Sequence, residues 1–148
     1  MKAVDICRKP VVTAPADASI LEVAALMRAN HVGSVVVVHG AGSRRPAGIL
    51  TDRDIVVEVL ALGLDPATLT AGEIMTQAPA VCPVDEDVLW ALKVMRDRGV
   101  RRLPVVDGAG ELLGMLAFDD VMQHLGGSFG DISQMIGTQR LAETARRA

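Results

Sequence analysis

Apolar and polar positions along this chain follow two rhythms, and the order of those rhythms occurs twice. Ile20, Val23, Ala24 and Met27 recur at i, i+3, i+4 and i+7, the spacing of one buried helical face. Asp17-Ala18-Ser19 precedes them as a helix start, and Ser19 with Glu22 fits a capping box. An extended Pro10-Val11-Val12-Thr13 comes before this helix. After it, the unbroken apolar run Val35 to Val38 predicts a strand buried on both faces. A Gly-rich turn then leads to a third strand, Ala47 to Leu50, and a closing helix from Asp54 to Leu62, ending near Gly63. The predicted order is strand, helix, strand, strand, helix. Val88, Ala91, Leu92 and Met95, then Leu103 to Val106, then Leu112 to Leu116 repeat it, with a last helix ending near Gly126.

The repetition extends to identities. With the sequence slid on itself by 68 positions, Ile6 meets Ile74, Pro15 meets Pro83, Met27-Arg28 meets Met95-Arg96, and Val37-Val38 meets Val105-Val106. Two extra residues within Ser43 to Ala47 change the shift to 66, so Gly48 meets Gly114, Leu50 meets Leu116 and Asp54 meets Asp120. Two copies are too few for a solenoid, and a pseudo-twofold pair is the natural assembly. The expected division is residues 1–66, a linker at 67–73, a second copy at 74–126 and a tail at 127–148. Thr70 and Glu73 repeat the capping-box pattern at the restart, and Gly126 to Gly130 reads as a flexible break. Beyond it, Asp131 to Arg147 is expected to be helical, with Ile132, Met135 and Ile136 apolar; it serves either as a packing arm for a partner subunit or as a frayed end.

Composition narrows the function. Half of the 148 residues are apolar, so a real core is expected, filled by Val, Leu, Ile, Ala and Met because aromatics make up only 2%. A net charge of −3 gives no broad basic field, which argues against nucleic acid as a partner. No apolar run reaches the length of a membrane span, and Met1 to Asp5 lacks a signal peptide's apolar stretch, so a cytoplasmic protein is expected. Cys7 and Cys82 read as buried thiols, and His31, His39 and His124 are scattered, so neither a metal site nor a catalytic cluster is expected.

The stretch Gly48-Ile49-Leu50-Thr51-Asp52-Arg53-Asp54 carries the candidate chemistry. Gly48 permits close backbone approach. Thr51 and Asp54 sit three apart at a helix start, where a hydroxyl can donate to a phosphate and a carboxylate can accept from a pair of sugar hydroxyls. The same pair is also a plain helix cap, with Thr51 as N-cap and Asp54 as a first-turn acid.

Two copies of strand-helix-strand-strand-helix, each ending in Gly-apolar-apolar-x-x-x-Asp, resemble a tandem pair of cystathionine β-synthase (CBS) domains of the stand-alone bacterial type. Gly48 to Asp54, Arg102-Leu103-Pro104-Val105-Val106 and Gly114 to Asp120 carry the resemblance. It implies an α/β (α+β) fold in which two domains pack through their sheets as a pseudo-twofold pair. It further implies homodimers, an adenine nucleotide such as AMP or ATP held between the domains with no obligatory cofactor, and regulation of a downstream protein that the sequence does not name. Carried over residue by residue, it places Thr51 at phosphate or ribose, Asp54 at the ribose hydroxyls, Arg101 and Arg102 at phosphates, and Ile49 with Ala80 and Val81 around adenine. In the second copy Asp120 matches, but Ala117 stands where the hydroxyl belongs, and the first copy has Gly33 and Ser34 where the arginines belong. Two unequal clefts are therefore expected, the one around Thr51 and Asp54 dominant and Asp120 contributing weakly.

Three functions compete: a ligand-sensing module, a structural dimerisation module with a vestigial cleft, and an enzyme. No Ser/His/Asp, Cys/His or glycine-loop pattern supports the third. A homodimer is expected from apolar residues on the closing helices, Ile55, Val56, Val59, Val121, Met122 and Leu125.

Overall fold

The computed structural model describes residues 1–147, except for the side chains at positions 139, 140, 143, 144, 146 and 147. The first copy forms β1 (Thr13–Pro15), α2 (Ile20–Asn30), β2 (Ser34–Val38), β3 (Pro46–Thr51) and α3 (Asp52–Ile55), preceded by a short α1 (Ala3–Ile6). The second forms β5 (Cys82–Pro83), α5 (Val88–Arg98), β6 (Arg102–Val106), β7 (Leu112–Ala117) and α6 (Phe118–Arg147). Between them lie α4 (Ala71–Ile74) and β4 (Thr76–Gln77). In each half the first strand is parallel to the second and the second antiparallel to the third. Ser34 faces Thr51 in one sheet and Arg102 faces Ala117 in the other. Both sheets shift register at the same place in the repeat, after Val37 and after Val105. The fold is mixed α and β, with the two sheets related as a pseudo-twofold pair.

Period-two geometry explains why β2 is apolar at every position. Val35 and Val37 face their own helices, in a core with Ile20, Val23, Leu50 and Val59. Val36 and Val38 face the other way and meet Leu112 and Met115 of the second sheet. Leu103 and Val105 fill the second core with Ala91, Met95, Leu116 and Val121. Helix α2 starts as its sequence predicts: Glu22 N–H donates to Ser19 Oγ at 3.1 Å, and Ser19 N–H donates to Glu22 Oε2 at 2.8 Å.

The halves exchange their opening segments. Helix α4, which opens the second copy in sequence, packs into the first core: Ala71 is buried there, and its N–H donates to Ala18 O at 2.8 Å. Strand β4 then pairs with β3, Thr76 opposite Ile49. Helix α1, which opens the first copy, packs into the second core: Ala3 is buried, and its N–H donates to Glu86 O at 2.9 Å. Arg8 and Met115 of β7 exchange backbone hydrogen bonds at 2.9 and 3.0 Å, the counterpart of the β3–β4 pairing. Packing thus runs across the division that the sequence repeat suggests. The motif glycines make this possible. A Cβ on Gly48 would run into the Met75 side chain and lie 2.7 Å from Thr76 O, and one on Gly114 would run into Cys7 Sγ and lie 3.1 Å from Arg8 O.

Three expectations need correction. The closing helix of the first copy is α-helical only over α3; Val56–Leu60 forms a π turn, with Ala61 N–H donating to Val56 O at 2.9 Å. Ile55, Val56, Val57 and Val59 are all β-branched, which disfavours regular α-turns. Ile55, Val59 and Val121 are core residues, so of the apolar set expected to drive dimerisation only Val56 and Met122 are well exposed. Finally, Gly126 to Gly130 is no break: α6 runs through it, and none of its glycines has positive φ. A glycine weakens a helix by up to about 1 kcal/mol without stopping it when the flanking turns hold.

Gly48→Ala is expected to destabilise the fold by about 1–3 kcal/mol, because the obstacle is backbone as well as side chain. Gly114→Ala should cost less, its backbone neighbour being farther away; urea unfolding of both variants checks the order. Burial pushes the Cys82 thiol up to about 11, with nearby Glu86 adding to the shift. The folded state therefore favours the neutral thiol. Its stabilisation is complete below the ordinary cysteine value of 9.0 and is lost as pH rises from there towards 11. The unfolding midpoint should fall over that window, and Cys82→Ala should flatten the fall.

Candidate functional site

A cavity of about 390 Å³ opens between the halves, lined by Ile49, Thr51, Asp54, Ala80, Arg101 and Arg102. These are all of the expected first-cleft residues except Val81, which lines a neighbouring pocket with Pro79, Ala80 and Trp90. Thr76 and Gln77 of β4, Ala78, Pro79, Arg98 and Val100 complete the wall, and none of these was singled out in the sequence. The exchange of segments brings β4 to the cavity. Gly99, with φ of 65°, ends α5 in a left-handed turn and carries the chain from Arg98 into Arg101 and Arg102.

Thr51 and Asp54 cap α3 reciprocally: Asp54 N–H donates to Thr51 Oγ1 at 3.1 Å, and Thr51 N–H donates to Asp54 Oδ2 at 2.9 Å. Capping and ligand chemistry are compatible here. The Thr51 hydroxyl accepts in the cap and keeps its own proton to donate, and Asp54 Oδ1 accepts from no protein donor among the described residues. Arg101 pairs with Asp119 at 2.8 Å, and its guanidinium lies 5.3 Å from the centre of the Phe118 ring. Arg102 and Arg98 have no acidic partner among the described residues and are the free cations of the cavity.

A second cavity of about 280 Å³ is the pseudo-twofold counterpart of the first. Met115, Ala117 and Asp120 stand where Ile49, Thr51 and Asp54 stand in the other cleft, and Gly33 and Ser34 where Arg101 and Arg102 stand. The expectation that this cleft lacks cations needs correction. Arg102 lines both cavities, His31 replaces the turn glycine with φ of 53°, and Arg8 occupies the position of Thr76. The Arg8 guanidinium donates through Nε and Nη2 to Asp120, with the shortest contact 2.5 Å, and that bond raises the arginine pKa further. Asp120, whose side chain is 10% exposed, is thus already engaged on its open side. Arg8 was legible only by carrying the repeat upstream to the exchanged segment.

Two sheets in pseudo-twofold contact, each with a Gly-apolar-apolar strand end beside its own cleft, define a tandem-repeat module. The chain belongs to the CBS domain family, whose model matches residues 3–61 and 71–127. It is 37% identical over 119 residues to an uncharacterized protein of Methanopyrus kandleri; the match covers 80% of this chain but only 60% of that relative's length. The crystal structure of Hypoxic Response Protein I with two coordinated zinc ions aligns with a TM-score of 0.73 at 34% identity, over 84% of this chain and 98% of that one; the curated Hypoxic response protein 1 is from Mycobacterium tuberculosis. A CBS domain protein of Pyrobaculum aerophilum complexed with AMP aligns with a TM-score of 0.75 at 30% identity, over 81% of this chain and 89% of that one. Among the described residues of the present chain, no three His, Cys, Asp or Glu side chains gather as a metal-ligand set, and no helix is long and apolar enough to cross a membrane.

The Arg8–Asp120 pair should contribute little stability despite its geometry, because the Arg8 side chain is 73% exposed. A double-mutant cycle of Arg8→Ala and Asp120→Ala in urea should return a coupling of about 0.2–1 kcal/mol.

Proposed function

We propose that this chain is a regulatory module that binds an adenine nucleotide (AMP, ADP or ATP) in the Thr51/Asp54 cavity and passes its occupancy to a partner protein. The observation that carries the reading is the convergence, in one cavity, of an apolar slot, a hydroxyl with a carboxylate, and two arginines with no acidic partner among the described residues. Ile49, Pro79 and Ala80 offer a flat ring an apolar slot. Asp54 Oδ1 is a free acceptor for ribose hydroxyls, and Arg98 and Arg102 offer forked donors to a phosphate. The Pyrobaculum relative with AMP supports the ligand class. The cavity volume lies within the range of about 300–1,000 Å³ usual for small-molecule sites.

In this reading the module works as a homodimer, through the exposed Val56, Val57, Leu60 and Met122, and performs no turnover. Ligand binding orders the cavity walls, which belong to both halves, and so shifts the relative placement of surfaces that the partner sees. The competing reading, a vestigial cleft in a purely structural module, draws on the mutual capping of Thr51 and Asp54 and on the Arg101–Asp119 pair, which account for those side chains without a ligand.

Calorimetry with AMP, ADP, ATP and S-adenosylmethionine separates the two. One dominant site per chain is expected. Arg102→Ala should weaken it by about 1.5–3 kcal/mol, the worth of a hydrogen bond to a charged group, or roughly ten- to more than a hundredfold. Asp54→Ala should abolish measurable binding, and Asp120→Ala should leave it nearly unchanged. Absence of binding for every nucleotide would sink the sensing reading and leave the structural one.

A further inference from the structure

The hairpin between β2 and β3 spans residues 39–45, while its counterpart between β6 and β7 spans only 107–111. The shorter loop closes the same strand pair, so the extra length is not needed for the fold. It is used instead to reach the second half. Leu112 N–H donates to Arg44 O at 2.7 Å, and Arg44 Nη2 donates to Leu112 O at 3.1 Å. This double link holds Ser43 and Arg44 beside the start of β7, where they help to wall a third cavity of about 510 Å³. Lys9, Val11 and Thr13 of the opening segment line it too, with Leu112 and Leu113 of β7. The cavity is larger than either cleft and within the range of about 300–1,000 Å³ usual for small-molecule sites.

The polar groups of this cavity are one-sided. Lys9 and Arg44 bring positive charge, Ser43 and Thr13 bring hydroxyls, and no Asp or Glu lines it. Neither cation has an acidic partner among the described residues. The Ser43 hydroxyl accepts from Arg45 N–H at 3.3 Å and keeps its own proton to donate. Such a set of donors without an acid calls for an anion. Two cations and two hydroxyls suit a phosphate monoester, which carries about −1.5 to −2 at pH 7 and three acceptor oxygens. The remaining wall is apolar: Val11 and Leu112 belong to the seam between the two sheets. We infer that this cavity binds a small phosphate monoester with a compact apolar body, its phosphate at Lys9, Ser43 and Arg44 and its body against Val11, Leu112 and Leu113. The inference is independent of the nucleotide reading. A nucleotide is disfavoured here, because no carboxylate lines the cavity to accept from sugar hydroxyls. The ligand ties together the opening segment, the first-copy hairpin and β7, so it stabilises the contact between the halves.

Backbone amide shifts of the full chain, titrated with phenyl phosphate as the probe and with inorganic phosphate and benzoate beside it, test this. The expected result is saturable shifts at Ser43, Arg44, Leu112 and Leu113, with phenyl phosphate bound more tightly than either of the other two. Lys9→Glu alters an exposed side chain with no acidic partner among the described residues, so the variant should fold. It should weaken phenyl phosphate by roughly ten- to a hundredfold, the loss of a hydrogen bond to a charged group. Shifts confined to Thr51, Asp54 and the Arg98 to Arg102 turn would put the probe in the first cleft and overturn the proposal. So would the absence of saturable shifts at millimolar probe, or an affinity that Lys9→Glu leaves unchanged. Inorganic phosphate or benzoate binding as tightly as phenyl phosphate would overturn the ligand class.

Discussion

The close approach of an exchanged backbone segment to one strand in each half governs the rest of this structure. Strand β3 is covered by β4 and strand β7 by the segment around Arg8, and each covering segment comes from the opening of the other copy. The approach is tight enough that only glycine fits at positions 48 and 114 without displacement. From it follow the composition of each core, the placement of α1 and α4, and the walls of both cavities. The dry seam of Val36, Val38, Leu112, Val11 and Met115 adds apolar contact between the sheets.

The two cavities show how one backbone arrangement yields two electrostatic environments. Positions that the pseudo-twofold relates carry Thr76 in one cleft and Arg8 in the other, Gly99 in one and His31 in the other. In the first cleft Asp54 is tied only to its own helix cap. In the second the equivalent acid is satisfied across the cleft by Arg8. Arg102 belongs to both walls, beside Arg98 and Arg101 in the first cleft and Arg8 in the second.

Much of this was legible in the sequence, because it depends on local chemistry. The helical periodicity of Ile20 to Met27, the Ser19/Glu22 cap and the doubly buried strand at Val35 to Val38 each follow from spacing or from the repeat, and the convergence of Thr51, Asp54, Arg101 and Arg102 is what the family resemblance implies. What the sequence concealed was long-range. Nothing local to residues 1–10 says that they complete the second half, so α1 and Arg8 went unread. The π turn at Val56–Leu60 looks like an ordinary helix in a pattern of apolar spacing. The glycines of α6 look like a hinge because glycine has the lowest helix propensity after proline, yet the helix runs through them with no positive φ.

The exchange also bears on how the chain is made. Residues 3–8 find their hydrogen-bond partners at Glu86 and Met115, more than two-thirds of the chain away in the case of Arg8. At a translation rate of about 5–20 residues per second, they wait on the order of ten seconds for those partners to be synthesised. Throughout that interval Ala3, Val4 and Ile6 are apolar side chains with no core to enter. The first half, by contrast, is complete as soon as β4 has emerged. A nascent chain is therefore a finished half carrying an uncommitted leading strand, and the open β7 edge of a neighbouring chain offers that strand the same two hydrogen bonds as its own.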